Sequence, residues 1–349
     1  MLLTVYRLKP QKLLENATPS GKTPRQSAYQ LRCKEGFCVV QWVYSAEREG
    51  VHVMKEQNLC FDGAAGLACT LLGKISKGQD GAIYNGLLFR FDSKGNCRVY
   101  DLQTLTEQGC FALDKTDLLM PHSNSVFFGK FYSEKDEFPL LYTNIYNNYA
   151  RQEDRLAGVC CVYRIFRNGD AFSSQLMQVI RVEFTHTPLW RSTNETDVRP
   201  YGNFVADVPG NKLYIFTMRD EDHTTRFFRF PLPDVTQGEV DPQWDVPVMI
   251  LNQAQIEEQF DSDYVNYMQG AICNNHLLYS LEGFTHPNDR GAPKIRVFNT
   301  KTRKQVFAAD FTGYGLLNEP ELIDIYNGKL YYVNHNGDVY NLAFTGESQ

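Results

Sequence analysis

From Asp80 the chain reads one polar residue, then Gly-Ala-Ile, a turn at Asn85-Gly86, and an unbroken apolar run beginning at Leu87. The order returns at Gln269, where QGAICNNHLLYSL matches DGAIYNGLLFRFD at Gly, Ala, Ile and Asn and, with one residue more in the turn, at two Leu. A short apolar run, an Asn-Gly or Asn-Asn turn and a second apolar run predict two antiparallel strands joined by a tight hairpin. Repeats of this kind set the architecture. The Leu-aromatic pair of the second strand recurs at Leu88-Phe89, Leu141-Tyr142, Leu213-Tyr214, Leu278-Tyr279 and Leu330-Tyr331. Behind each pair comes a third run rich in aromatic and β-branched residues: Cys97–Leu102, Cys160–Ile165, Arg226–Phe230, Ile295–Thr300 and Asp338–Phe344. Five such meanders, 52 to 72 residues apart, predict an all-β fold. The reading is a five-bladed β-propeller, in which radial packing leaves only short sheet edges.

Strand counting then fixes the ends. Gly81–Tyr84, Leu87–Phe91, Cys97–Leu102 and Gly109–Leu113 give the first blade four strands from contiguous sequence. The last blade has three, Glu321–Tyr326, Lys329–Asn334 and Asp338–Phe344. An open blade edge exposes unpaired backbone groups, so a strand from before residue 79 is predicted to close the ring beside Asp338–Phe344, with Phe37–Val43 and Leu2–Leu8 as candidates. Gly63–Ile75 suits either a short helix or a buried strand. Residues 1–35, punctuated by Pro10, Pro19, Gly21 and Pro24, read as a loosely packed extension ahead of a single propeller domain spanning 36–349. Ser133–Glu137, Asn144–Leu156 and Thr185–Pro200 are polar excursions suited to rim loops, and Asn252–Phe260, with an Asn cap, predicts a helical connector between blades.

Hydrophobic residues make up 43% of the chain, with 23 Phe and 20 Tyr, enough bulk to fill wedge-shaped gaps between blades. The net charge of -6, a pI near 5.7 and the lack of a Lys/Arg run exclude a broad phosphate-binding face, so nucleic acid is not an expected partner. Nine cysteines without CxxC or Cys/His zinc spacing read as reduced thiols, with adjacent Cys160 and Cys161 on opposite faces of a strand. No apolar run reaches the roughly 18 residues of a membrane span. MLLTVY is too short for a signal-peptide core, which favours a cytoplasmic setting for the sequence as it stands; a removed leader would make it extracellular or cell-surface.

Superposing the blades brings the residues that begin each innermost strand to one end of a central channel: Asp80, His122, Asn124, Tyr201, Asn203, Gln269, Glu319 and Glu321, with Gln79 beside them. Two readings stay open: polar groups bonded to water in a wet channel, and a ligand pocket with convergent polar groups. Asp80 with Glu319 or Glu321 across the closure could share a proton, hold a hard cation such as Ca²⁺, or act as acid and base on a glycosidic bond. No third matched carboxylate stands on blades two and three, and no other cofactor is implied. Arg199 and Tyr201, with Trp190 and His186, offer an aromatic and cationic wall for a sugar ring or an anion, or else a packed blade edge. Asp220-Glu221-Asp222-His223 lacks the ligand spacing of a calcium loop and reads as a charged turn, and Asp92–Asn96 and Asn334–Asp338 are turn chemistry with Gly where positive φ is needed.

Gln269-Gly270 opening a strand, the following turn and Leu-Leu-Tyr, then IRVFNTKT, Asn-Glu-Pro-Glu and Tyr-Asn-Gly-Lys-Leu-Tyr resemble the propellers grouped with teichoic acid biosynthesis protein C and phage receptor-binding proteins. The resemblance covers residues 260–345 and, through the internal repeat, 79–102. It implies a five-bladed propeller and contact with cell-surface glycopolymers, and it carries no catalytic motif. The resulting expectation is a propeller that binds a small polar or carbohydrate-like ligand in its axial funnel. The alternatives are a hydrolase or lyase acting on a glycan or phosphoester through channel carboxylates, and a scaffold that binds a protein partner on its rim.

Overall fold

The second strand of each meander is apolar at consecutive positions, and the reason is visible once the sheets are assembled: both of its faces are buried. A computed structural model describes residues 29–34, 37–42, 64–145, 158–182, 198–219, 225–263, 267–287 and 291–346. The chain divides into two units, Met1–Val53 and Met54–Gln349. The first holds an antiparallel hairpin of β1 (Tyr29–Lys34) and β2 (Phe37–Trp42). The second is the propeller.

The propeller opens with β3 (Ala64–Lys74), after which the first blade follows as β4 (Gly81–Tyr84), β5 (Leu87–Phe91), β6 (Asn96–Asp101) and β7 (Glu107–Ala112). A one-turn helix, α1 (Thr116–Leu119), leads to the second blade: β8 (Val126–Phe128), β9 (Leu141–Ile145), β10 (Val159–Asn168) and β11 (Ala171–Val182). The third has β12 (Val198–Asp207), β13 (Lys212–Arg219) and β14 (Thr225–Pro231). The chain then leaves this blade to add β15 (Glu239–Asp241) and β16 (Val246–Leu251) to the second one, β16 running parallel to β11, before returning with β17 (Glu258–Ser262) on β14. The fourth blade is β18 (Met268–Asn274), β19 (Leu277–Glu282), β20 (Lys294–Asn299) and β21 (Lys304–Asp310). The fifth is β22 (Pro320–Tyr326), β23 (Lys329–Asn334) and β24 (Asp338–Gly346), completed by β3. The five-bladed propeller closed by a strand from early in the chain is therefore the architecture found.

The identity of the closing strand differs from the two candidates. Ala64–Lys74 pairs antiparallel with β24 from Asp338↔Lys74 to Gly346↔Ala64, while Phe37–Trp42 pairs with Tyr29–Lys34 and Leu2–Leu8 lies outside the described residues. Of the two readings of Gly63–Ile75 the strand is the one found, but as an outer strand with Leu71 and Leu72 exposed and not as a buried one. The predicted helix at Asn252–Phe260 shrinks to a 3-10 turn at Gln253–Gln255. Its capping box is real, with Asn252 accepting from Ala254 N–H at 3.0 Å, but the remainder is β17. The alternation in Glu258–Ser262, half-buried and exposed by turns, is a strand period that a short window hides.

Five apolar clusters fill the five wedges between neighbouring blades, and adjacent residues of one strand feed different wedges. Leu88 packs towards the fifth blade while Phe89 packs towards the second. Cys161 lies in the wedge between blades one and two and Cys160 in the next, on opposite faces as their adjacency in a strand requires. The six cysteines described in this unit, Cys69, Cys97, Cys110, Cys160, Cys161 and Cys273, are free thiols. Trp244, Val246 and Val248 of the returning excursion pack into the first wedge, and Gln178 Nε2 donates to the Asp234 and Gln237 carbonyls at 2.8 and 2.7 Å, so the third blade's chain is tied onto the second. Among the described residues no helix is long and apolar enough to cross a membrane.

The repeat's glycine has a steric cause. A Cβ on Gly81 would stand 2.0 Å from the Phe89 carbonyl oxygen, and one on Gly270 would stand 2.1 Å from the Glu321 carbonyl oxygen and 2.8 Å from Asp80 Oδ1. The backbone comes too close there for any side chain.

Candidate functional site

Strand direction decides what meets at the channel mouth. Each innermost strand (β4, β8, β12, β18, β22) starts at one end of the channel, and the antiparallel strand beside it finishes there. The residues just before an innermost strand therefore share one face with the ends of β5, β9, β13, β19 and β23.

A chain of hydrogen bonds runs around this mouth and crosses every blade interface. From blade one, Asp80 N–H donates to Ser123 O at 3.0 Å and Asp80 Oδ2 accepts from Val126 N–H at 2.7 Å in blade two. Asn144 Nδ2 donates to Asn124 Oδ1 at 2.6 Å and to Asn203 Oδ1 of blade three at 3.2 Å. Asn203 Nδ2 donates to the Gln269 carbonyl of blade four at 2.6 Å, and Gln269 Nε2 donates to Glu319 Oε1 of blade five at 2.9 Å. Gln79 Nε2 completes the circuit by donating to Glu321 Oε1 at 3.2 Å. The expected polar ring thus exists. Asp80, Asn124, Asn203 and Gln269 are buried within it and hold neighbouring blades in register.

At the closure between blades five and one the bonding changes character. Arg90, 2% exposed, donates from Nη2 to the carbonyls of Gly78 and Asn334, both at 2.8 Å, while its Nε and Nη1 have no partner. Burial pulls this guanidinium down to about 10, and the neighbouring Glu321 and Asp80 act against that fall. Asp80 Oδ1 and Glu321 Oε2 are likewise buried without a partner. Burial raises Asp80 well above the usual carboxylate range; Glu321 is also raised by burial, against the pull of His335 and Arg90.

His335, part of the turn that Asn334–Asp338 predicts, also belongs to the site. Pro320 pairs with Asn334 and His335 N–H donates to Glu319 O at 2.8 Å, so the turn after β23 sets the imidazole beside the start of β22. His335 Nδ1 lies 3.0 Å from Glu321 Oε1, and this bond raises the imidazole above its ordinary pKa. Glu319, Glu321 and His335 each offer one ligand-type atom, all within 4.8 Å of one another. Glu319 and His335 are half-buried, and Glu321 is fully buried behind them. A signal for His335 was present: a His directly after a hairpin strand whose partner opens with Glu-Pro-Glu. It was hidden because NHNGD also satisfies turn chemistry, with Gly337 at φ 87.

The other expected residues fall as follows. His122 is largely buried, and burial lowers its imidazole to about 4, so it stands neutral at the start of blade two. Arg199 and Tyr201 lie in β12, and the described structure extends to their backbone only. Trp190, His186 and Asp220–His223 lie outside the described residues. Ser133–Glu137 is a fastened segment: Asp136 holds Arg164 through both carboxylate oxygens, and Arg164 in turn lies over the Tyr132 and Phe166 rings, each at 4.9 Å.

No family model matches the chain, and no curated relative matches it. Among solved structures it is similar to a glutaminyl cyclase of Myxococcus xanthus, at 10% identity and a TM-score of 0.43, covering 79% of this chain and 97% of that one. It is also similar to Sqt1 of Saccharomyces cerevisiae, at 9% identity and a TM-score of 0.31, covering 75% and 55%. A third likeness is to BamB of Moraxella catarrhalis, at 9% identity and a TM-score of 0.30, covering 77% and 59%. The chain thus spans less than two thirds of the last two proteins. At these identities and scores the likenesses say nothing of activity, and none of them confirms kinship with the teichoic acid biosynthesis and phage receptor-binding group.

Proposed function

We propose that the protein is a binding propeller that takes a small polar, hydroxyl-rich ligand at the mouth where its innermost strands begin. The observation that supports this reading is a division of labour. The amides of Asn124, Asn144, Asn203 and Gln269 are consumed in bonds between or within blades, whereas half-buried Glu319 and His335 converge on a buried carboxylate with one unpartnered oxygen. Carboxylate and imidazole acceptors suit ligand hydroxyl groups, the chemistry of a polyol or carbohydrate. In this reading Glu319, His335 and His122 contact the ligand, Glu321 backs them from the interior, Arg199 and Tyr201 are assigned to the wall, and Asp80, Asn124, Asn203 and Gln269 hold the shape. The hydrolase or lyase alternative loses weight because two of its three carboxylates, Asp80 and Glu321, are fully buried. A general acid or base must come within hydrogen-bond reach of the group it serves.

The test is saturation-transfer NMR with a panel of neutral sugars, sugar alcohols and polyol phosphates at millimolar concentration, in metal-free buffer. Binding by members of the panel that is lost in Glu319→Gln, with an unchanged unfolding midpoint, is the expected result. Absence of binding across the panel, or binding indifferent to Glu319→Gln, would overturn it.

A further inference from the structure

Three side chains at the mouth carry a more specific inference, which rests on the same site as the ligand reading. Glu319 and Glu321 flank Pro320 at the start of β22, and His335 follows β23, which pairs with it. Their ligand-type atoms lie within 4.8 Å of one another. A four-coordinate ion with bonds of about 2.0–2.2 Å to nitrogen and oxygen needs donors on this scale. The backbone carrying them is fixed, because His335 N–H is bonded to Glu319 O at 2.8 Å and Asn334 Nδ2 is bonded to Asp338 at 3.0 Å.

A second, independent observation points to an occupant. Glu321 is 0% exposed, Oε1 already accepts from Gln79 and faces His335, and Oε2 has no partner at all. An unmatched carboxylate oxygen in the interior is destabilising when nothing satisfies it. The outer partners match a metal centre: Gln269 Nε2 orients Glu319 at 2.9 Å and Gln79 Nε2 orients Glu321 at 3.2 Å.

We infer that Glu319, Glu321 and His335 bind one divalent first-row transition ion, zinc being the form tested, with its open coordination position facing the channel. The imidazole sets this apart from the calcium expected of carboxylates alone, since nitrogen ligands suit zinc and all-oxygen sets suit calcium and magnesium. An ion in that place would offer ligand hydroxyl groups a Lewis-acidic anchor.

The experiment is isothermal titration of the full chain, stripped with chelator, with zinc chloride and separately with calcium chloride. Cobalt(II) loading followed by visible absorption gives a second readout. Zinc is expected to bind one ion per chain. Glu319→Gln and His335→Ala should each weaken it by more than the roughly tenfold that loss of an outer partner costs, and the cobalt spectrum should change in both. His335→Gln and a thermal unfolding profile of every variant guard against reading a folding failure as lost binding, and exposed Asp117→Asn serves as the unaffected control. Zinc that fails to bind, binding unchanged in folded Glu319→Gln and His335→Ala, or calcium binding in place of zinc would each overturn the inference. Polyol binding in metal-free buffer without zinc binding would sink the metal alone and leave the ligand reading standing. Zinc binding with no polyol in the panel would do the reverse.

Discussion

Arg90→Met removes a cation buried at the closure between blades five and one while keeping an unbranched stem of similar length. Two charge-assisted bonds go with it, to Gly78 O and Asn334 O at 2.8 Å each, the second crossing from β5 to the end of β23. Bonds to charged groups are worth about 1.5–3 kcal/mol apiece, which gives an upper sum of roughly 3–6 kcal/mol. A separate route, breaking a buried ionic cluster by removing one member, gives about 3–5 kcal/mol. The two count the same loss twice and are not added. Part is returned, because Arg90 is itself desolvated, so the expected loss is about 3–4 kcal/mol. Urea unfolding followed by far-ultraviolet circular dichroism and tryptophan fluorescence measures it. Glu321→Gln in the same chain should recover part of the loss, because the carboxylate left without its counter-charge is then neutral; the expected coupling is about 1–3 kcal/mol. A single variant within about 1 kcal/mol of the parent, or a double variant that is simply additive, would refute the view that Arg90 balances this cluster.

Other expected outcomes concern the lock, the closure and acidity. Gly270→Ala places a methyl 2.1 Å from the Glu321 carbonyl, an overpacking contact with backbone that cannot rotate away, and should lower stability by about 2–3 kcal/mol in the same urea assay. In the closing strand, Leu67→Asp buries a charge in the wedge between blades four and five and should cost more than about 3 kcal/mol, whereas Leu72→Asp, on the exposed bulged position of β3, should stay within about 0.5 kcal/mol. Equal effects of the two would contradict β3 as the outer strand of blade five. Burial raises Asp324 to about 7, against bonds from Ile83 N–H at 2.5 Å and Ile325 N–H at 2.7 Å. A raised acid takes up its proton more readily in the folded state. Its contribution is thus complete below about pH 4 and is lost as pH rises towards 7, at up to roughly 1.4 kcal/mol per pH unit. Urea midpoints measured across that window should fall in the parent and fall less steeply in Asp324→Asn.

The legible part of the fold was the part written locally. Gly81 and Gly270 recur because neighbouring backbone excludes a side chain at both, and the Leu-aromatic pairs recur because each feeds two wedges at once. Pairing between distant segments was less legible. Nothing in residues 239–251 announces that β15 and β16 join another blade, since β16 pairs in parallel with β11 across some seventy residues of chain. Ala64–Lys74 was hard to read because its small residues and leucines fit helix and strand alike, and only its register with β24 decides. At the mouth, the starts of the innermost strands named Asn124, Asn203, Gln269, Glu319 and Glu321, because strand starts superpose in a propeller. Arg90 and His335 sit at strand ends, and they reach the same face through antiparallel pairing that composition does not reveal.

A crystal structure of the full chain at a resolution that shows ordered solvent, grown with and without zinc, distinguishes a site at Glu319, Glu321 and His335 from one more link in the lock. Density is expected between the three side chains, in contact with Glu321 Oε2, with an ion in the zinc form about 2.0–2.2 Å from His335 nitrogen and carboxylate oxygen. A structure in which Arg90 or another protein donor satisfies Glu321 Oε2, with Glu319 and His335 turned apart and nothing bound among them, would contradict it.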